Sequence, residues 1–175
     1  MSGLFEWNEE PVARHHERGN FDCGVPELNE YLDRYARQNH EFGGAKTFVA
    51  VSEVKPTQVL GYYSISPGAI EFNRVPTRIT KKFGRYEVPV FRVGRLAVSL
   101  SMQGQGLGGD LLLAAGKRAM AVATQVGGVA LAIDAKDEKA ESWYQRFGAV
   151  QLLDDQLKLI LPLNTIASAL KTAGK

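Results

Sequence analysis

The chain has a single cysteine, Cys23, and only three histidines, so it can form no intramolecular disulfide and no Cys/His zinc cage. Long apolar runs are missing too: Leu157–Leu163, one of the longest, is far too short to span a bilayer. Met1–Glu10 holds three glutamates and no basic residue, which argues against a signal peptide. There is no internal repeat and no low-complexity linker. What remains is an ordinary globular mixture, 45% hydrophobic and 23% charged over 175 residues. The expectation is one domain spanning 1–175, in the cytosol, without a structural metal.

Net charge is only +2, but its distribution is uneven. Residues 1–33 carry eight acids against two arginines, a balance of −6. Residues 74–95 carry Arg74, Arg78, Lys81, Lys82, Arg85, Arg92 and Arg95 against Glu87 alone, a balance of +6. A basic stretch of this kind suits an acidic partner, although solvated basic loops are common.

Apolar spacing predicts a helix from about Val25 to His40, with Pro26 in its first turn. Thr47–Ser52 and Val59–Ser66 read as a hairpin, and Ala69–Phe72 as a possible extension of the sheet. The segment 73–88 reads as an irregular excursion with one helical turn. Val90–Leu100 is the next strand, followed by a glycine-rich turn and a helix to about Gln125, with Leu111, Leu112, Ala115 and Ala119 on its buried face. A strand at Val129–Ile133, a helix at about Lys136–Phe147, strands at Ala149–Leu153 and Leu157–Leu163, and a short closing helix complete the order. The pattern is α+β in the first half and β-α-β-α-β in the second, a mixed sheet with helices on both faces.

Gln103-Gly104-Gln105-Gly106-Leu107-Gly108-Gly109 joins a strand to a helix. Unpaired N–H groups at a helix start attract phosphate oxygens, and glycines let the backbone come close. A turn that merely packs strand against helix is the plain alternative. Gly104, Gly106 and Gly109 also satisfy the spacing of a dinucleotide-binding fingerprint, with Asp134 where a ribose-binding acid would sit. Only 41 residues follow Asp134, too few for the second half of that fold. Gly44-Ala45-Lys46-Thr47 lacks the first glycine of a P-loop and precedes a strand, so it is set aside.

Gln103-x-x-Gly106-x-Gly108 resembles the pyrophosphate motif of the GNAT superfamily of acyl-CoA N-acyltransferases, and the element order agrees over nearly the whole chain. Within that superfamily, Phe21-Asp22-Cys23-Gly24, Leu28-Asn29, Tyr31-Leu32, Leu60-Gly61-Tyr62-Tyr63, Arg95-Leu96-Ala97-Val98 and Trp143-Tyr144-x-x-Phe147-Gly148 resemble the GNAT toxins of bacterial toxin–antitoxin pairs. The resemblance implies a mostly antiparallel mixed sheet with a V-shaped split between its central strands. It implies acetyl-CoA held by Leu96, Ala97, Val98, Gln103, Gly104, Gln105, Gly106, Leu107, Gly108 and Gly109. It implies Tyr144 as the acid that protonates the departing thiolate, aminoacyl-tRNA as acceptor, a ribbon-helix-helix antitoxin and a homodimer.

The residues add their own argument. A phenol is protonated at neutral pH and suits an acid role, though Trp143, Tyr144 and Phe147 would also serve as plain packing. No carboxylate stands out as base on the strand before the glycine turn, which favours an α-amine, titrating near 8 or below, over a lysine; Glu41 or water remains available as a base. Arg92 and Arg95 fall on opposite sides of a regular strand, and with Arg74, Arg78, Lys81, Lys82 and Arg85 would form a track for RNA phosphates. His15-His16 lacks a third ligand at useful spacing and reads as a solvated pair; Cys23 reads as structural. The first reading is an acetyl-CoA-dependent toxin acting on charged tRNA. The rivals are an acetyltransferase for small amines or protein N-termini, and a non-catalytic acyl-CoA- or RNA-binding module.

Overall fold

The computed structural model of the chain describes residues 6–81, 85–172 and 174. Its strands are β1 (Trp7–Pro11), β2 (Lys46–Ser52), β3 (Val59–Ile70), β4 (Val88–Val98), β5 (Ala130–Asp134), β6 (Val150–Leu152) and β7 (Asp155–Pro162). Its helices are α1 (Pro26–Glu30), α2 (Ala36–Glu41), α3 (Thr77–Thr80), α4 (Leu107–Val126), α5 (Glu138–Gln145) and α6 (Leu163–Thr172). The strands hydrogen-bond in the order β1-β2-β3-β4-β5-β7-β6. The β1–β2, β2–β3, β5–β7 and β6–β7 pairs are antiparallel, and β4–β5 is parallel. The expected mixed, mostly antiparallel sheet is therefore present.

The residues form two compact units, with β3, β4 and α4 passing through both: Met1–Ser66 with Arg95–Ala114, and Pro67–Gly94 with Ala115–Lys175. In the first, Val49 and Val51 of β2 and Tyr62 of β3 pack with Tyr31, Leu32 and Ala36 from the helical stretch, and with Phe21, Cys23 and Ala97. In the second, Val90, Ala130, Ala132 and Ile160 from three adjacent strands pack with Ile70, Val75, Val88 and Leu152. Burying these aliphatic and aromatic side chains is the main force holding each unit.

Three features depart from the sequence expectations. β1 was not expected: Trp7-Asn8-Glu9-Glu10-Pro11 lacks β-branched residues and carries two acids and a proline. An edge strand tolerates all of these, and β1 pairs only with β2. The two runs 59–66 and 69–72 are one strand, β3, continuing through Pro67. The predicted helix 25–40 is helical throughout, but a wide π turn at Tyr31–Tyr35 separates α1 from α2, closed by the Ala36 N–H donating to the Tyr31 carbonyl. Segment 73–88, of which 82–84 lie outside the described residues, holds the single turn of α3 and the end of a further short turn, Phe72–Arg74, where one helical turn was expected.

Candidate active site

β4 prepares the site. Val90–Val93 pair in parallel with Ala130–Ile133 of β5, and that register ends there although β4 continues to Val98. Ala97 is buried in the first unit's core, with Leu96 and Val98 half-buried on either side. Backbone groups on a strand edge without a ladder are the ones an extended ligand pairs with.

After Ser99 a short 3₁₀ turn at Leu100–Met102 leads into the glycine turn. Gly104 and Gly106 have φ of +80° and +90°, a region open to glycine at little cost. The space where a side chain at Gly104 would stand is empty. The Asp110 N–H donates to the Gly106 carbonyl at 3.1 Å, so the helical ladder begins at that point. The N–H groups of the first turn have no partner within the helix and carry its positive end. Gln103 stands at the head of the motif as a brace. Its Nε2 donates to the carbonyls of Cys23 and Val98, both at 3.0 Å, tying the turn to the end of β4 and to the loop before α1. Gln105 Nε2 donates to the Ser101 carbonyl at 3.3 Å. Leu107 is fully buried and anchors the helix start, leaving Gly108 and Gly109 half-buried beside it.

Tyr144 lies in the last turn of α5, whose start is capped by Asp137 accepting from the Ala140 N–H at 2.8 Å. It is buried, with the Trp143 ring packed edge-on at 4.9 Å between centroids. Burial, and then the negative charge of Asp134, push the phenol up to about 12. A carboxylate nearby disfavours the phenolate, so the hydroxyl keeps its proton throughout the physiological range. Asp134 is in turn held between Arg92 at 3.9 Å and Lys158 at 3.5 Å.

The basic residues divide into three groups. Arg74 is paired with Asp154 at 2.8 Å, and Arg92 with Asp134. Arg78, Lys81 and Arg85 are exposed and have no ion pair among the described residues; Lys82 lies outside them. Arg95, in the first unit, places its guanidinium 3.6 Å above the ring of Tyr31. Glu41, the acid considered as a base, is tied to Arg37 at 2.7 Å.

The histidine pair is not a solvated pair. His16 is buried, its Nε2 lies 2.8 Å from Glu10 Oε1, and exposed His15 reaches the same oxygen at 3.5 Å. Glu10 therefore supplies the third donor that spacing did not reveal, since β1 was not recognised as a strand. The Ala13 N–H donates to His16 Nδ1 at 2.9 Å, however. With Nδ1 accepting, the proton sits on Nε2, the atom a metal would need, and is donated to Glu10. The triad is a structural clasp.

Sequence reasoning missed Asp134 as the charge acting on Tyr144. It also missed the recess around Arg95 formed by Tyr31, Tyr35, Gln38, Asn39 and Phe42. Tyr31, Tyr35 and Asn39 fall at the i, i+4, i+8 spacing of an ordinary helix face, so the sequence carries no signal for the recess; the 81% exposure of Phe42 shows only in the structure.

No family model matches the chain. A curated relative, the tRNA-acetylating toxin of Mycobacterium tuberculosis (strain ATCC 25618 / H37Rv), is 32% identical over 142 residues, covering 81% of this chain and 83% of the relative. Among solved structures, AtaT complexed with acetyl-methionyl-tRNAfMet matches with a TM-score of 0.87 at 26% identity, over 94% of this chain and 99% of that one. AtaTR bound with AcCoA matches with a TM-score of 0.81 at 27% identity, over 93% and 97%.

Proposed function

This chain belongs to the GNAT-fold tRNA-acetylating toxins of toxin–antitoxin systems, and from that premise we propose that it moves the acetyl group of acetyl-CoA to the α-amino group of an aminoacyl-tRNA, which removes that tRNA from translation. The likeness to a tRNA-acetylating toxin over four-fifths of the chain carries the reading. The local geometry supplies what the chemistry requires.

The residues fit an acyl-CoA. The positive φ of Gly104 and Gly106 and the open space at Gly104 allow close approach of a pyrophosphate to the start of α4. When bound, acetyl-CoA supplies an acetyl group activated as a thioester. The Leu96, Ala97 and Val98 backbones hold its pantetheine arm and polarise the carbonyl with preorganised N–H groups. The turn Gly104-Gln105-Gly106-Leu107-Gly108-Gly109, positioned by Gln103, holds the pyrophosphate. Tyr144 keeps a proton on Oη at neutral pH and delivers it to the leaving sulfur. The acceptor needs no dedicated base, because an α-amine next to an ester titrates near 8 or below. Arg78, Lys81 and Arg85, with Lys82, contact RNA phosphates; Arg74 and Arg92 assist from within their ion pairs, and Arg95 acts at the acceptor end.

No described helix is long and apolar enough to cross a membrane. The site of action in this reading is the cytoplasm, where charged tRNA is found. A ribbon-helix-helix antitoxin as neutralising partner and a homodimer as working form complete the proposal, with residues 1–175 acting as one domain. Labelled acetyl-CoA incubated with a charged tRNA pool, a polyamine mixture and a peptide mixture tests it. The label should enter the RNA and leave, on mild alkaline hydrolysis, as N-acetyl amino acid. Label confined to polyamines or peptides would overturn the tRNA assignment.

A further inference from the structure

We propose that the recess around Arg95 binds the unpaired adenosine at the 3′ end of the charged tRNA, an inference that rests on the acceptor class proposed above. The recess has a volume of about 460 Å³ and is lined by Tyr31, Tyr35, Gln38, Asn39, Phe42 and Arg95. That volume lies within the usual range for small-ligand sites.

Each lining group supplies one part of nucleotide recognition. Tyr35 and Phe42 are 51% and 81% exposed, two rings left outside the core about two turns apart, Phe42 just past the end of α2. Exposed rings of this kind are platforms for unpaired bases. Arg95 rests its guanidinium face on Tyr31 at 3.6 Å and has no carboxylate partner among the described residues. Its N–H edge is thus free to fork onto phosphate oxygens while its face stays stacked. Tyr31 is itself fixed: it is buried, and its hydroxyl accepts from Asn39 Nδ2 at 3.1 Å. Gln38 is exposed, and its amide suits the N6/N7 edge of adenine. The π turn at Tyr31–Tyr35 bends the backbone at this spot, a deformation that recurs at functional sites. Rings, guanidinium and amide together match a purine nucleotide. The terminal adenosine of a tRNA is one such nucleotide, single-stranded and carrying the aminoacyl group. The adenine of coenzyme A is the other source of the same chemistry, and the test separates the two.

Two uncharged microhelix RNAs serve as probes, one ending in single-stranded CCA and one with an abasic 3′ residue. Fluorescence anisotropy of the full chain should show the adenine-ended RNA bound about 5- to 150-fold more tightly, the contribution of one stacked base. Tyr35→Ala with Phe42→Ala should erase that preference, and Tyr35→Phe with Phe42→Tyr, which keep both rings, should restore it. Both side chains are exposed, so the substitutions leave the core intact. Calorimetry with acetyl-CoA should give equal affinity for wild type and double alanine variant. Equal binding of the two RNAs by wild type overturns the proposal without reference to any variant. A drop in acetyl-CoA affinity in the alanine variant also overturns it and assigns the recess to the cofactor's adenine. Failure of wild type to acetylate any charged tRNA would instead sink the acceptor class, a separate result from the end preference.

Discussion

Replacing Tyr144 with Phe removes one oxygen and its proton while keeping the ring that packs against Trp143 at 4.9 Å. If the phenol protonates the leaving sulfur, turnover on charged tRNA should fall by about 10²–10⁴-fold, the usual contribution of a positioned general acid. At about 1.36 kcal/mol per tenfold this is about 2.7–5.4 kcal/mol of barrier. Acetyl-CoA affinity, read by calorimetry, should stay within about twofold, because Tyr144 is absent from the set that holds the pyrophosphate. The alkaline limb offers an independent check. The folded phenol titrates at about 12 rather than the usual 10, so the folded chain holds this proton more tightly than the unfolded one. The resulting stability is complete below pH 10 and is lost as pH rises towards 12, about 2.7 kcal/mol in all at about 1.36 per pH unit. Denaturant melts from pH 9 to 12 should show a shallower decline in the Phe variant. In the same range no loss of kcat in wild type should trace to Tyr144 until pH approaches 12. Near-wild-type turnover in Tyr144→Phe would refute the acid role and leave the residue a packing aromatic.

Gly106→Glu forces a side chain onto a φ of +90° and sets a negative charge at the start of α4, so acetyl-CoA binding should become undetectable by calorimetry while far-ultraviolet dichroism stays native. Reversing Arg78, Lys81 and Arg85 to Glu should weaken tRNA binding and lower the slope of log affinity against log salt by roughly one per lost phosphate contact. Acetylation of a small amine by that triple variant, measured in parallel, should be retained; an unchanged salt slope would dismiss the track. Gly61→Ala would place a Cβ 2.8 Å from the Ala97 carbonyl oxygen and 3.0 Å from Leu111 Cδ1. Urea melts should show a loss of about 1–3 kcal/mol from this overpacking, and wild-type stability would mean that β3 and β4 can part without cost.

Much of the molecule is local in origin and therefore legible along the chain. The period of Leu111, Leu112, Ala115 and Ala119 sets the buried face of α4, and Pro26 sets the start of α1. Gly104 and Gly106 mark the turn because a residue without Cβ adopts φ near +80° or +90° freely. That Tyr144 keeps its proton at neutral pH follows from phenol chemistry alone. Contacts between distant segments were not visible, since nothing in local spacing encodes them. Tertiary structure decided that Asp134 acts on Tyr144, that Asp154 claims Arg74 across 80 positions, and that Glu10 completes the clasp with His15 and His16. It showed the Gln103 side chain bracing Cys23 and Val98. It also divided a seemingly uniform basic stretch, because charge in sequence counts residues while pairing in space decides which of them remain uncompensated. Arg95 is the clearest case: its sequence neighbours suggest a phosphate track, and its position over Tyr31 makes it the centre of an aromatic recess.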